Sequence, residues 1–162
     1  MAEKTLQDLF HETLKDIYFA EKAIYRALQK QAKGAESDEL RNALLTHREE
    51  TEGQIERLEQ VFETIGKPAR GKTCEAIKGI IEEGVEIMED FEDSPALDAG
   101  LLAASQAIEH YEMARYGTLI TWANQLGNKN AAKLLDQNLQ EEKKTDALLT
   151  KLATAQVNQQ AA

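Results

Sequence analysis

Apolar positions along this chain recur every three to four residues, the spacing of one helix face, and no segment keeps the two-residue alternation of a strand. The first stripe runs through Leu6, Leu9/Phe10, Thr13, Ile17, Ala20/Glu21, Ile24 and Leu28, opened by a capping-box-like Thr5–Asp8 pair and closed near Gly34. A second begins at Ser37, with Asp38 and Glu39 where the helix dipole favours them. It continues through Leu40, Leu44, His47, Glu50/Thr51, Gln54, Leu58, Val61/Phe62 and Ile65 to a stop at Gly66 and Pro68. Ile77, Ile80/Ile81, Gly84, Met88 and Phe91 mark a shorter amphipathic helix with an acidic opposite side. Pro95 suits the opening of a fourth, striped by Leu101, Ser105, Ile108/Glu109, Glu112, Tyr116, Leu119 and Ala123. After Gly127-Asn128 the last carries Leu135, Leu139, Glu142, Thr145/Asp146, Leu149 and Leu152, and a polar tail from Thr154 is expected to fray. The pattern therefore predicts helices over about 5–33, 37–65, 73–91, 95–126 and 129–153 in one domain spanning 1–162.

Short turns make the first two and the last two long helices antiparallel hairpins. The stretch between them is a long crossover carrying its own short helix. The predicted fold class is all-α: a four-helix bundle with the single long crossover that ferritin-like bundles use.

Four glutamates interrupt these stripes where an apolar residue belongs: Glu21, Glu50, Glu112 and Glu142. A buried carboxylate without a partner is costly, so such positions call for a partner or a metal. Each lies about 14–16 residues from its hairpin turn, roughly 21–23 Å along its helix, so the hairpins bring their glutamates to one depth. A faint internal repeat agrees. Glu21-Lys-Ala-Ile-Tyr25-Arg-Ala-Leu28 and Glu112-Met-Ala-Arg-Tyr116-Gly-Thr-Leu119 share E-x-A-x-Y-x-x-L, and Glu49-Glu50 corresponds to Glu141-Glu142. His47 lies one turn before Glu50, and Glu109 one turn before Glu112. The six form a candidate oxygen-rich metal set suited to iron or manganese. The competing readings are an edge-of-stripe ion pair for the glutamates, a hydrogen-bonded core histidine for His47 and a solvated margin for Glu109. Tyr25 and Tyr116 read as core aromatics whose hydroxyls reach carboxylates, and His11 and His110 as surface residues.

Composition narrows the picture. A net charge of −10 argues against nucleic acid as a partner. A single cysteine, Cys74, allows no internal disulfide, and no apolar run spans a bilayer. The expectation is a cytoplasmic protein with no membrane partner. Gly66-Lys-Pro-Ala-Arg-Gly71-Lys72-Thr73 matches the phosphate-loop pattern literally, but that loop must follow a buried strand and here it follows a helix, so nucleotide binding is rejected.

Four stretches together resemble the YciF/YciE group of bacterial stress proteins within the ferritin-like superfamily. They are Asp16-Ile-Tyr-Phe-Ala-Glu21-Lys, His47-Arg-Glu-Glu50-Thr-Glu-Gly-Gln-Ile-Glu-Arg-Leu58, Glu109-His-Tyr-Glu112-Met-Ala-Arg-Tyr116-Gly-Thr-Leu119 and Glu141-Glu142-Lys. The resemblance covers nearly the whole chain. It implies a bacterial cytoplasmic protein, a homodimer, tied to osmotic, envelope or oxidative stress, and carries Glu21, His47, Glu50, Glu109, Glu112 and Glu142 over as the metal site. Two functions stay open: a di-metal protein that oxidises ferrous iron or scavenges peroxide with two iron or manganese ions, or a non-catalytic interaction module. The second would work through the acidic crossover face of Glu82, Glu83, Glu86, Glu89 and Asp90, with a vestigial or structural metal site.

Overall fold

The computed structural model describes residues 3–162; Met1 and Ala2, which the single-domain expectation takes in, lie outside them. Its helices are α1 (Leu6–Gly34), α2 (Asp38–Thr64), α3 (Glu75–Asp90), α4 (Leu97–Gln125), α5 (Lys129–Leu152) and, after a π-helical turn at Ala153–Val157, the short α6 (Asn158–Ala161). Among the described residues there is no strand, and no helix is long and apolar enough to cross a membrane. Helices α1 and α2 pair as one hairpin and α4 and α5 as the other; α2 faces α5, α1 faces α4, and α3 crosses over the α1–α4 side. This is the ferritin-like four-helix bundle with one long crossover.

Local chemistry sets the ends. Thr5 and Asp8 form the capping box on α1, Ser37 accepts from the Leu40 amide to cap α2, and Asn128 accepts from the Ala131 amide to cap α5. Gly66 and Gly127 stop α2 and α4 at positive φ, +65° and +74°, a conformation that carries no steric cost for glycine. The Asp98 carboxylate of α4 accepts from the Glu36 and Ser37 amides at 2.8 and 2.6 Å, tying the α1–α2 turn to the second hairpin. Cys74 is buried and its sulfur accepts from the Ile77 amide at the start of α3. The basic stretch that mimics a phosphate loop is an exposed connection after α2, with the Lys72 amide bonded to the Lys15 carbonyl and its ammonium to Glu12.

Four local expectations are corrected. Helix α4 starts at Leu97 rather than at Pro95, because Ser94 builds a turn there: its hydroxyl accepts from the Ala96 amide and its carbonyl from the Leu97 amide. Leu9 is 49% exposed, and Phe10 and Leu14 take the inward positions of α1 instead. Phe91 is 46% exposed, where α3 ends and Phe91 itself leaves the helical conformation as its C-cap. The tail does not fray at Thr154: the widened turn buries Ala153 and Val157, and this segment packs on α4.

The crossover helix packs tightly on α4. A Cβ added at Gly100 would lie 2.5 Å from Ile87 Cγ2, inside van der Waals contact. Gly100→Ala is therefore expected to destabilise the protein by about 1–3 kcal/mol through overpacking. Urea denaturation of the variant measures this, and an unchanged midpoint would mean that α3 yields freely.

Candidate metal centre

The interior at mid-height of the bundle is acidic. Helix α1 supplies Glu21, α2 His47, α4 both Glu109 and Glu112, and α5 Glu142; each is at most 1% exposed. Glu109 and Glu112 share a face of α4 because residues three apart are neighbours on a helix. His47, Glu109, Glu112 and Glu142 can each direct one nitrogen or oxygen to a common region in which those atoms lie within 4.8 Å of one another. Glu21 meets them from the α1 side, its Oε1 accepting from the buried Tyr116 hydroxyl. The sixth candidate, Glu50, does not join. It is half-buried at the margin, where Thr145 donates to its Oε2 at 3.2 Å and Lys144 lies 3.7 Å from its Oε1. The reason is angular: Thr51, one residue on, takes the inward position of α2, fully buried with its hydroxyl bonded to the His47 carbonyl.

Nine polar atoms of this cluster are buried without a hydrogen-bond partner: Glu21 Oε2, both nitrogens of His47 and both oxygens of Glu109, Glu112 and Glu142. His47 Nδ1 lies 2.7 Å from Glu109 and Nε2 3.5 Å from Glu142, but neither contact has the alignment of a hydrogen bond. These are charge contacts rather than directed bonds. Each unsatisfied buried polar group costs about 1–3 kcal/mol, so the arrangement makes sense as a ligand set and not as a packing solution. Three to four hard carboxylates with one borderline imidazole make an oxygen-rich set of the kind iron and manganese take. The residues present fit such an ion.

The electrostatics match that crowding. Burial, reinforced by Glu142, Glu21 and Glu109, holds Glu112 well above the usual carboxylate range; burial likewise raises Glu109, with His47 opposing. Burial and the Glu142 charge push Glu21 up to about 7. Glu142 goes the other way: burial is outweighed by Glu109 and His47, which favour its anion. Burial opposes the charged form of His47, yet Glu109 and Glu142 raise it well above its ordinary value. In the metal-free cluster these directions favour the anion at Glu142 and the cation at His47.

The internal repeat is broken in its chemistry. Tyr116 is fully buried against Glu21, whereas its counterpart Tyr25 lies half-buried under the Arg48 guanidinium, 3.9 Å from the ring centroid. The position in α5 that matches His47 is Leu139. His110 is exposed and paired with Asp146, and His11 is half-buried with its edge on Phe62. Sequence reasoning missed Asn138 and Arg57. Asn138 is fully buried four residues before Glu142, and that inward polar position was the available signal. The surface cavities lie elsewhere; one of about 910 Å³ is lined by Leu6, Leu9 and Lys72 at the start of α1.

The comparisons agree with this architecture over its full length. Residues 5–162 match the family model described as a domain of unknown function, DUF892. The chain is 48% identical to Protein YciF of Escherichia coli K12, over 99% of this chain and 98% of that protein. The crystal structure of the E. coli stress protein YciF superposes with a TM-score of 0.91 at 48% identity, covering 96% of this chain and 99% of that one. YcfI from Rhodopseudomonas palustris gives 0.89 at 45% identity, covering 91% and 94%. A Xanthomonas campestris protein at 22% identity and a TM-score of 0.78, covering 96% of both chains, shares the fold. The chain belongs to the DUF892 family.

Proposed function

We propose that this is a stress-response protein that binds two iron or manganese ions in the buried cluster and there oxidises ferrous iron or consumes peroxide. The observation that carries the reading is the group of nine unpartnered polar atoms on five buried side chains at one depth. The stress role rests on the likeness to the E. coli stress protein. Bound iron or manganese would supply one-electron redox chemistry and a Lewis-acid centre for oxygen or peroxide. Glu109, Glu112 and Glu142, each with both oxygens unpartnered, would hold the ions together with His47 and Glu21. Glu50 reaches the cluster only by leaving Thr145 and Lys144. The surrounding apolar core excludes bulk water, which strengthens every charge contact inside. On the same reading the protein works in the cytoplasm as a homodimer, and its charge of −10 keeps nucleic acid away.

Elemental analysis of protein purified without chelators should find about two iron or manganese ions per chain. Ferrous iron oxidation or peroxide consumption should fall to the background rate in the Glu112→Gln, Glu142→Gln double variant. Metal-free protein that takes up neither ion on reconstitution would reject the reading. The alternative is a non-catalytic interaction module, favoured by the exposed acidic face of Glu82, Glu83, Glu86, Glu89 and Asp90 beside exposed Phe91. It requires partner capture that survives the double variant and fails when that face is neutralised.

A further inference from the structure

Beside the cluster lies a second buried polar group whose hydrogen bonds run in one forced direction. It begins at a half-buried ion pair between α2 and α5. Arg57 donates to both oxygens of Glu141, Nη1 to Oε2 at 2.9 Å and Nη2 to Oε1 at 2.6 Å. Gln54, fully buried, adds a bond to Glu141 Oε2 at 3.1 Å. Arg57 Nη1 also donates to Asn138 Oδ1 at 2.7 Å. Asn138 is 0% exposed, and its Nδ2 points to the Gln54 carbonyl and to the Tyr116 hydroxyl oxygen, each at 3.2 Å. Tyr116, also 0% exposed, ends the series on Glu21 Oε1.

Each polarity follows from the donor inventory. A guanidinium donates only, so the Asn138 atom it meets must be the oxygen; a main-chain carbonyl accepts only, so the atom facing Gln54 must be the nitrogen. Two independent neighbours thereby set the amide the same way round. With Asn138 donating to the Tyr116 oxygen, the single hydroxyl proton is left for Glu21. The ionised Glu21 accepts it through Oε1. Its other oxygen, Oε2, is the one that remains buried and unpartnered. Glu109, Glu112 and Glu142 have both oxygens in that condition.

We propose that Arg57 and Asn138 are positioning residues that commit the Tyr116 proton to Glu21 and so make Glu21 a one-oxygen ligand, in contrast to the two-oxygen carboxylates opposite. The inference rests on the metal-binding reading for the word ligand, but the proton commitment itself exists without metal. It gives the centre a built-in asymmetry. Helix α1 would offer a metal the one unpartnered oxygen of Glu21, while the carboxylates of α4 and α5 would each offer two. The half-buried pair Arg57–Glu141 holds this arrangement from outside the carboxylate cluster.

The test is Asn138→Asp. The new carboxylate keeps the shape and the Arg57 contact but cannot donate, so it competes for the Tyr116 proton and frees Glu21 Oε1. Tyr116→Phe removes the donor outright and keeps the ring. In metal-free protein the Glu21 side-chain carboxyl carbon resonance, assigned with Glu21→Gln, should move in both variants. In protein loaded with Mn²⁺ the affinity should fall by about tenfold to a hundredfold, as for other outer partners of a metal ligand. The infrared splitting of the carboxylate stretches should narrow as Glu21 gains its second oxygen. A merely structural role for Asn138 would lower the melting temperature and leave the resonance and the splitting alone. An unmoved Glu21 resonance in both folded variants overturns the proposal. Wild-type protein that binds no Mn²⁺ overturns the ligand assignment and the proposed function together, and the metal-free resonance still decides the proton commitment by itself.

Discussion

Glu112→Leu should make the metal-free protein more stable. Glu112 is 0% exposed, both its oxygens lack hydrogen-bond partners, and burial with three neighbouring carboxylates holds it well above the ordinary carboxylate range. Removing it deletes a desolvated group and its repulsions, while leucine fills much of the same space. A buried polar group without a hydrogen-bond partner costs about 1–3 kcal/mol, and an apolar side chain of similar volume removes that cost. For a chain of this size that is roughly 2–12 °C in melting temperature. The measurement is thermal unfolding at pH 8 in chelator, with the exposed Glu82→Gln as a control expected within about 0.5 kcal/mol. The same substitution should abolish the stabilisation that Mn²⁺ gives the wild type, which reaches about 4 kcal/mol at a thousandfold excess over Kd. A variant less stable than wild type in chelator would show that Glu112 has a structural partner, and the ligand reading would lose its main support. Stability sacrificed at one buried position is what a site kept for function looks like.

What the sequence made legible follows from where the information lies. Helical periodicity is a local signal, and the five main helices, the capping residues Thr5, Ser37 and Asn128 and the long crossover all came from it. The depth of the glutamates within each hairpin also follows from local geometry, since rise per residue and a short turn suffice to bring Glu112 level with Glu142, which the bundle places in one cluster. Rotation about the helix axis is less secure, because a stripe position written Glu50/Thr51 covers 100° of the helix. Packing against α5 chose Thr51, and Glu50 went to Lys144 and Thr145. The burial of Val157 was illegible for a different reason: its neighbours are polar, and only the surface of α4 makes the position apolar. The Arg57–Asn138–Tyr116 series joins residues 22 and 81 positions apart, so only the assembled bundle displays it.

The second large effect is a reversal of pH dependence on metal loading. Burial and Glu142 raise Glu21 from 4.5 to about 7 in the folded protein. A group whose folded pKa is raised contributes stability that is fully present below its unfolded value and lost as pH rises through the folded one, because the folded protein holds a proton that the unfolded chain has released. For Glu21 the loss runs from about pH 4.5 to about pH 7 and amounts to ~3 kcal/mol at one pKa unit per 1.36 kcal/mol. Glu109, Glu112 and His47, all raised, act in the same direction. Glu142, lowered, acts oppositely, and its contribution disappears only as pH falls below the ordinary carboxylate range. Metal-free protein should therefore melt highest near pH 5 and lower at pH 8, by roughly 6–12 °C for the Glu21 share. Metal binding demands the deprotonated forms and expels those protons, so metal-loaded protein should instead gain stability over the same interval. Melting curves in chelator and in Mn²⁺ at pH 5, 6, 7 and 8 should cross. Calorimetric titrations in buffers of different ionisation enthalpy should report protons released per ion bound. Parallel curves with no release would mean that the buried carboxylates are already ionised and paired in the free protein, and a cluster so satisfied would have no reason to take up a metal.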